Sequence, residues 1–379
     1  MKVLQASSYF YPHIGGVETH VLELSQHLLD LGHEVSVVCA LVPKSTPFET
    51  LDGLSIVRLP ALDLPYMPYV FRLRQRLSAF NADVVHSHYP PPFISYGTTR
   101  GLPQLPHVLT YHCDVVVPDK MASFKIPNAA KKGVTRLNTK LYLSRILHDV
   151  QRIIATTESY AKSSEVLRQY QYTVIPNAIG LEAFDTTRRL VDAERETRKV
   201  LFVGRLSTVK GVEYLIKAAK LVLAHHEDAT FVIVGRGEEG ERLKALARNV
   251  GDRITFCGHI SRQALLRLYR TSTVLVLPSF TRLEAFGVVL LEAMASETPV
   301  IASRIPGVED VVGDGGMLVT PRDPLELSRA ITSMLDDPKK ARAMGKNGRQ
   351  RVERNYDWKV VARQVVDVYK DVLDAAAAF

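Results

Sequence analysis

An apolar strand followed by a glycine-bearing loop and an amphipathic helix is the pattern that most constrains how this chain folds. Lys2–Ala6 predicts a strand, and the loop after it ends in Gly15-Gly16. From Val17 to Leu31, apolar residues recur at helical spacing, and Glu34–Cys39 predicts a second strand. A strand, a helix and a strand in this order form a parallel βαβ unit. The first half of the chain is therefore predicted to be a doubly wound α/β domain.

A second series of the same kind begins at Lys199–Val203, which is again an apolar strand. The loop Gly204–Gly211 and a helix from Val212 to Leu223 follow it. The 379 residues suffice for two domains, each with its own hydrophobic core. The polar segment Leu190–Arg198 is predicted to link them.

Composition excludes several classes of protein. The hydrophobic content of 46% is that of a soluble globular protein, and no apolar run approaches the roughly 18 residues of a membrane span. The apolar N-terminus is too short for a signal peptide. Cys39, Cys113 and Cys257 cannot pair completely and lack metal-ligand spacing, so we expect a cytoplasmic protein. A net charge of +8 suits a nucleic acid, an anionic membrane or a phosphorylated ligand equally well.

The stretch from Pro278 to Ala295, which follows an apolar strand, is the most informative for function. It contains Glu284 and Glu292, which are either two solvated side chains or two ligands of one molecule. On one helix, positions eight apart lie two turns and ~80° from each other. A shared ligand therefore requires Glu284 in the loop and Glu292 in the helix. Gly287 then marks the helix start, where free N–H groups favour a phosphate. This arrangement suits a nucleotide-sugar, which has hydroxyls at both ends and a diphosphate in the middle.

Three further positions carry candidate side chains. Arg205 and Lys210 flank a glycine turn that opens a helix, and two cations there suit a diphosphate, although isolated surface cations are equally common. His112 follows a predicted strand, at the end where parallel sheets bind ligands, and a solvated or buried structural histidine is the alternative.

Neither a metal nor a nicotinamide cofactor is expected. His86-Ser87-His88 offers two histidines at a strand end without further ligands, and no Asp-x-Asp follows a strand. The loop before Val17 lacks the three spaced glycines of a dinucleotide site.

These motifs together resemble the E-x7-E signature of retaining glycosyltransferases with the GT-B fold, and specifically their family 4. The resemblance covers the whole chain and includes Gly-Arg-x4-Lys-Gly from Gly204 and Ile-Pro-Asn from Ile175. It implies two Rossmann-like domains that face each other across a cleft. We expect an N-terminal domain over residues 1–185, completed by a C-terminal helix over 358–379, and a nucleotide-sugar domain over 198–357. Glu297 stands where the family has a glycine, so no positive φ is expected at that turn.

The resemblance also assigns roles to residues. It implies that Glu292 binds the ribose, that Arg205 and Lys210 bind the diphosphate, and that Glu284 binds the transferred hexose. Other residues contact the donor in the family, either through the backbone or close to the sugar; here they are Gly15, Gly16, His112, Gly235, Gly237, Ile260, Phe286, Gly287 and Val288. The set expected to support the reaction is His112, Glu284, Arg205 and Lys210. The implied reaction retains the anomeric configuration and uses neither a metal nor another cofactor.

The basic segment, residues 115–150, bears on the acceptor. It carries seven cations against Asp119 and Asp149, namely Lys120, Lys125, Lys131, Lys132, Arg136, Lys140 and Arg145. Its apolar residues are Leu137, Leu141, Leu143, Ile146 and Leu147. A basic amphipathic helix can lie on an anionic membrane, and an ordinary surface helix is the alternative. Many lipid-modifying relatives attach to membranes through such a region. We therefore expect a membrane lipid or lipid-linked glycan as acceptor, and a peripheral location on the cytoplasmic membrane face.

Three functions compete on the sequence alone. The first is hexosyl transfer to such a lipid, with a UDP-sugar favoured as donor. The second is the same chemistry with GDP-mannose, or on a small soluble acceptor such as an inositol, a carboxylic acid or a sugar phosphate. The third is a non-catalytic module that binds nucleotides or nucleic acid, which the combination of Arg205, Lys210, Glu284 and Glu292 disfavours. No nucleic-acid partner is expected.

Overall fold

The computed structural model divides the chain into two compact units. Unit 1 comprises Met1–Pro176 and Trp358–Phe379, and unit 2 comprises Asn177–Asp357. The structure describes residues 1–13, 15–43, 45–64, 67–78, 80–115, 120–121, 124–125, 128–188 and 198–378. The predicted linker lies outside these ranges except for Arg198. In the basic segment, Asp119 and the side chains of Lys120, Lys125, Lys131 and Lys132 also lie outside the described part.

Unit 1 is built around a parallel sheet. Its strands are β1 (Lys2–Ala6), β2 (Glu34–Ala40), β3 (Phe48–Leu51), β4 (Leu54–Leu59), β5 (Ala61–Leu64), β6 (Met67–Val70), β7 (Val84–Tyr89), β8 (His107–Tyr111), β9 (Lys120–Met121), β10 (Phe124–Lys125), β11 (Arg152–Ala155) and β12 (Thr173–Val174). Eight of them form one sheet in the order β12-β11-β8-β7-β1-β2-β4-β3. Only β3 runs antiparallel to its neighbour in this sheet, and β5–β6 and β9–β10 form separate antiparallel pairs.

The helices of unit 1 cover this sheet. They are α1 (Gly16–Asp30), α2 (Leu73–Leu77), α3 (Pro92–Gly101), α4 (Asn128–Asn138), α5 (Ser144–Asp149), α6 (Glu158–Ser163) and, from the C-terminal part of the chain, α15 (Trp358–Ala377). A π-helical turn, Thr139–Leu143, joins α4 to α5. The strands β7 and β8 are buried along their whole length, as expected for a parallel sheet covered on both faces.

Unit 2 repeats the architecture with six parallel strands. They are β13 (Lys199–Val203), β14 (Thr230–Val234), β15 (Ile254–Gly258), β16 (Val274–Leu277), β17 (Val300–Ser303) and β18 (Gly316–Val319), in the order β15-β14-β13-β16-β17-β18. The helices are α7 (Glu182–Arg188), α8 (Val212–Leu223), α9 (Gly240–Arg248), α10 (Arg262–Thr271), α11 (Val288–Ala295), α12 (Val308–Val312), α13 (Pro324–Asp336) and α14 (Pro338–Asn355). None of the described helices in either unit is long and apolar enough to cross a membrane.

The boundary between the units differs from the expected one. Residues 177–185, which the sequence analysis assigns to the first domain, belong to unit 2. The Ile179 N–H donates to the carbonyl oxygen of Tyr356 at 2.9 Å, and Phe184 is buried in the core of unit 2. Because of these contacts with the end of α14 and with the core, the segment belongs to unit 2.

The turn before β17 corrects a second expectation. Glu297 has a φ of 56°, although a residue other than glycine was expected to avoid positive φ there. Left-handed backbone costs about 1–2 kcal/mol for a residue with a Cβ. The carboxylate of Glu297 is buried 3.4 Å from the guanidinium of Arg270, which is itself buried. This ion pair stabilises Glu297 in a conformation that the sequence alone assigns to glycine.

Candidate active site

The predicted donor residues of unit 2 lie at one edge of its sheet. The strand order reverses direction at β13, which has β14 on one side and β16 on the other. Ligands of open α/β sheets bind at the carboxyl ends of the strands at such a switch point. Lys210 lies in the loop that follows β13, and Glu284 lies in the loop that follows β16. The two side chains therefore come from the two loops that border the switch point.

A glycine brings these two loops together. Gly211 has a φ of 68°, and a Cβ at this position would lie 2.1 Å from the carbonyl oxygen of Pro278. Only a residue without a side chain allows this approach. The Phe280 N–H also donates to the carbonyl oxygen of Val209 at 3.2 Å. The backbone thus fixes Lys210 close to the loop that carries Glu284.

Lys210 and Glu284 form the centre of the site. The Lys210 ammonium is 2.5 Å from Oε2 of Glu284, and the Ser279 hydroxyl donates to the same oxygen at 2.9 Å. The Lys210 side chain is 25% exposed and that of Glu284 is 12% exposed, so the pair is partly desolvated but still reachable from solvent. The pair joins a cation suited to phosphate with a carboxylate suited to sugar hydroxyls.

Glu284 and Glu292 occupy the two kinds of position that the spacing predicts. Glu284 lies in the loop, Gly287 is the N-cap of α11 with a φ of 80°, and Glu292 lies within the helix. The backbone N–H groups of Phe286, Gly287 and Val288 donate to no backbone carbonyl among the described residues. They are therefore free to bind an anion or a sugar oxygen.

Two residues that the sequence analysis missed hold Glu292. The Tyr269 hydroxyl donates to one carboxylate oxygen of Glu292 at 2.6 Å, and Arg262 donates to the other at 2.9 Å. Burial and the neighbouring Glu292 carboxylate raise the pKa of Tyr269 well above its usual value, so its hydroxyl stays a donor. Both residues belong to α10, and no local motif connects that helix to α11.

The other predicted residues of unit 2 are arranged around this centre. Arg205 is mostly exposed and pairs with Glu238 at 3.3 Å rather than with the Lys210–Glu284 pair. Gly235 approaches the carbonyl oxygen of Gly204 so closely that a Cβ would lie 1.9 Å from it, and Gly237 approaches Leu206 in the same way. Ile260, after β15, packs on the core of unit 2. The loop after β14 therefore packs closely on the loop that carries Arg205 and Lys210.

In unit 1, the glycine pair and His112 lie at the corresponding strand ends. Its sheet reverses direction at β1, between β2 and β7. Gly15 is the N-cap of α1 in extended conformation, and a Cβ at Gly16 would meet open space. His112 directly follows β8 and is buried. Burial, with His20 and His86 nearby, lowers the pKa of His112 well below its usual value, so its imidazole is neutral.

His112 belongs to a cluster of buried histidines. One ring nitrogen from each of His20, His88 and His112 lies within 4.8 Å of the other two, close enough to share a metal ion. However, both nitrogens of His88 already have hydrogen-bond partners, which are Nε2 of His112 at 3.1 Å and the side-chain oxygen of Gln5 at 2.8 Å. We therefore interpret the cluster as a hydrogen-bonded network.

The described part of the basic segment divides into a buried and an exposed portion. Three of its apolar residues, Leu143, Ile146 and Leu147, are buried in unit 1. The earlier part, on α4, instead exposes apolar side chains, with Val134 47% and Leu137 56% exposed, beside the exposed Arg136. The later part is thus an ordinary packed helix, while α4 presents apolar and basic groups together.

Fold and site together define a glycosyltransferase of the GT-B class. Sucrose-phosphate synthase from Thermosynechococcus elongatus has a similar structure, with a TM-score of 0.79, 28% identity and 99% coverage of both chains. Residues 14–183 match the family model "Glycosyltransferase Family 4", and residues 184–351 match "Glycosyl transferases group 1". The chain belongs to glycosyltransferase family 4.

Two relatives illustrate the range of the family. The chain is 30% identical to a phosphatidyl-myo-inositol mannosyltransferase of Mycolicibacterium smegmatis, over 99% of this chain and 95% of the relative. It is also 30% identical to the D-rhamnosyltransferase WbpZ of Pseudomonas aeruginosa, over 93% of this chain and 91% of the relative. The expected GT-B fold and the expectation of a glycosyltransferase are therefore confirmed.

Proposed function

We propose that this glycosyltransferase moves a hexose from a nucleoside-diphosphate sugar to a membrane lipid or lipid-linked glycan, with retention and without a metal. The observation that carries the proposal is the contact between Lys210 and Glu284 at the switch point of unit 2. Glu292, eight residues after Glu284, lies on the helix that starts between them. Side chains that can bind the phosphate, the hexose and the ribose are thus available within one strand-end region.

Each of the side chains has a separate role in the proposed reaction. As the bond to the diphosphate breaks, negative charge grows on the leaving group, and Lys210 stabilises that charge. The free N–H groups at the start of α11 add to this stabilisation. Glu284, released from Lys210 by the entering diphosphate, accepts hydrogen bonds from hexose hydroxyls, and Glu292 does the same for the ribose. Arg205 binds the diphosphate after leaving its exposed pairing with Glu238, which is weak.

The remaining residues complete the proposal. Gly235, Gly237 and Ile260 surround the nucleotide base. The close backbone packing of the two glycines leaves little room there for side-chain discrimination. Gly15 and Gly16 approach the distal phosphate, where a Cβ at Gly16 would occupy otherwise open space. His112 supports the transferred sugar.

Two donors are candidates. A UDP-linked hexose is the one that the sequence resemblance favours. GDP-mannose is the alternative, and transfer of mannose is favoured by the 30% identity to a phosphatidyl-myo-inositol mannosyltransferase along almost the whole chain. The same relative acts on a phosphoinositide lipid by name, which supports a lipid acceptor here.

A thermal-shift panel of UDP, GDP and their sugar conjugates tests the donor site. A ligand at 100 times its dissociation constant stabilises the fold by about 2.7 kcal/mol. We expect one nucleotide to give such a shift. In Glu292→Gln the stabilisation at the same concentration should fall to about 1.4 kcal/mol or less, because tenfold weaker binding removes that much. Glutamine loses the charge and one of the two acceptor oxygens.

Glu241→Gln is the matched control for this experiment. Glu241 is an exposed glutamate of the same unit, paired with Lys244 on α9, so its variant should keep the full shift. An unchanged shift in Glu292→Gln would refute the ribose assignment. If no nucleotide shifts the wild-type protein, the donor proposal itself fails.

Flotation with lipid vesicles tests the acceptor side. We expect the protein to float with vesicles that contain anionic lipid and to be released by salt. The exposed Arg136, Val134 and Leu137 on α4, with the exposed Lys140 in the turn that follows it, suit such a surface. Charge reversal at Arg136 and Lys140 should weaken binding more than tenfold, since each cation near the surface contributes about 1 kcal/mol. The double reversal of Lys220 and Arg248, exposed cations of unit 2, is the control. Equal loss in both variants would show non-specific attraction and favour a soluble acceptor.

A further inference from the structure

A chain of buried polar side chains leads from His112 into the interior of unit 1. His112 contacts His88, His88 contacts Gln5, Gln5 contacts Tyr369, Tyr369 contacts His86, and His86 contacts Thr110. The five distances, in the same order, are 3.1, 2.8, 3.3, 2.6 and 2.7 Å. All six residues are buried, and they come from β1, β7, the end of β8, and α15. We call these residues the histidine chain.

Gln5 gives the histidine chain a direction. Hydroxyls can both donate and accept, and an imidazole can carry its proton on either nitrogen, but the two ends of an amide are fixed as acceptor and donor. The side-chain oxygen of Gln5 faces Nε2 of His88, so that nitrogen must carry a proton and donate it. On its other side, the Gln5 amide nitrogen donates to the Tyr369 hydroxyl.

The direction propagates toward His112. A neutral imidazole has one N–H, so Nδ1 of His88 is an acceptor once Nε2 is the donor. His112 must then donate from Nε2 to Nδ1 of His88. Burial and the neighbouring histidines lower the pKa of both rings well below the usual value, which keeps each ring neutral with a single N–H. The proton of His112 is thereby held on Nε2.

The other half of the histidine chain agrees with this direction. The Tyr369 hydroxyl, which accepts from Gln5, donates to Nδ1 of His86, and Nε2 of His86 donates to the Thr110 hydroxyl. Burial raises the pKa of Tyr369, so its hydroxyl keeps its proton. Turning the Gln5 amide over would reverse every bond and move the proton of His112 to Nδ1.

We infer that Gln5 is a positioning residue, which fixes the proton of His112 on Nε2 and leaves Nδ1 as a bare acceptor for a sugar hydroxyl. Nδ1 of His112 has no hydrogen-bond partner among the residues that the structure describes. A bare nitrogen there selects a hydroxyl that donates, whereas a protonated one would select an oxygen that accepts. This inference deepens the role of His112 in the proposed function and rests on it for the identity of the ligand.

The test reads the tautomer directly. Histidine is labelled with ¹⁵N in the ring, and long-range proton–nitrogen correlations are recorded on the full chain without ligand. The His112 signals are assigned by their absence in His112→Asn. We expect His112 to carry its proton on Nε2. A wild-type His112 that is protonated on Nδ1, or on both nitrogens, overturns the inference without any variant.

Variants then test the part played by Gln5. In Gln5→Leu, the acceptor that holds the proton of His88 on Nε2 is gone, and we expect the Nδ1-protonated form of His112 to become detectable. Tyr369→Phe keeps the shape of the core and removes the hydroxyl that orients the Gln5 amide. This variant replaces Gln5→Leu in the experiment if Gln5→Leu does not fold. The internal control is His107, a buried histidine of β8 whose Nε2 contacts the carbonyl oxygen of Leu102 and which takes no part in the histidine chain. Its tautomer should not change. A His112 tautomer that stays unchanged in both variants would overturn the role of Gln5.

Turnover separates this inference from the proposed function. We expect kcat/KM for the nucleotide-sugar to fall at least tenfold in each variant whose His112 tautomer changes. A changed tautomer with normal turnover contradicts the contact between Nδ1 and the sugar. If the wild-type protein transfers no sugar at all, the proposed function fails, while the tautomer measurement still decides whether Gln5 directs His112.

Discussion

Lys210→Ala should lower kcat/KM for the nucleotide-sugar by about 100- to 1000-fold, the range seen when one preorganised electrostatic contact to a developing anion is removed. The reason is geometric as well as electrostatic. Lys210 is fixed by the contact of its loop with Pro278. Its ammonium is already held at 2.5 Å from Glu284 before a nucleotide-sugar binds. Steady-state kinetics with saturating acceptor measures the loss.

The fold should survive this substitution. The Lys210–Glu284 pair is partly exposed, and Glu284 keeps the Ser279 hydroxyl as a partner, so we expect a loss of about 1 kcal/mol in the free energy of unfolding. Lys210→Met keeps most of the apolar stem and should lose as much activity as the alanine variant. Lys217→Ala removes a neighbouring exposed lysine, which pairs with Glu213, and should change kcat/KM less than twofold. Near-normal kinetics in Lys210→Ala would remove the central residue from the proposed site.

Gly211→Ala should lower both stability and activity. A Cβ would lie 2.1 Å from the carbonyl oxygen of Pro278 and 3.0 Å from its carbon, so the two loops must separate. We expect the free energy of unfolding to fall by about 3 kcal/mol, from the left-handed backbone and the forced contact together. Displacing Lys210 by about 1 Å should reduce kcat/KM by about 100-fold. Chemical denaturation followed by far-UV circular dichroism measures the first effect.

Gly251→Ala distinguishes the contact from the backbone conformation. Gly251 also has a positive φ, 107°, but a Cβ there meets nothing within 4 Å. Its variant should lose about 1–2 kcal/mol and keep its activity. Because 107° lies further from the left-handed minimum than the 68° of Gly211, any excess loss at Gly211 comes from the contact with Pro278. Equal losses at the two positions would mean that the loops adjust freely.

Much of this architecture could be predicted because it depends on local pattern. Alternating apolar strands and amphipathic helices indicate the two parallel sheets, since period and length are properties of short segments. The spacing of Glu284 and Glu292 around Gly287 places one in a loop and the other in a helix for the same reason. These features need no knowledge of distant contacts.

What could not be predicted depends on partners that are far apart in the chain. Tyr269 and Arg262 reach Glu292 from another helix, and no spacing rule connects them. Glu297 takes a glycine-like conformation because the buried Arg270 lies beside it, which outweighs the local preference. Gln5 looks like an ordinary strand residue until Tyr369 and His88 flank its amide.

The return of α15 to unit 1 has a consequence for how the protein is made. Residues 358–377 are synthesised after the whole of unit 2, yet they cover α1 and supply Tyr369 to Gln5, 364 positions earlier. Unit 2 has all of its own residues once Asp357 has been added. The unit that leaves the ribosome first is thus completed last, and the apolar surface that α15 covers stays open throughout that interval. Slow translation should therefore prolong the exposure of apolar surface on unit 1, and chaperones should bind the nascent chain there.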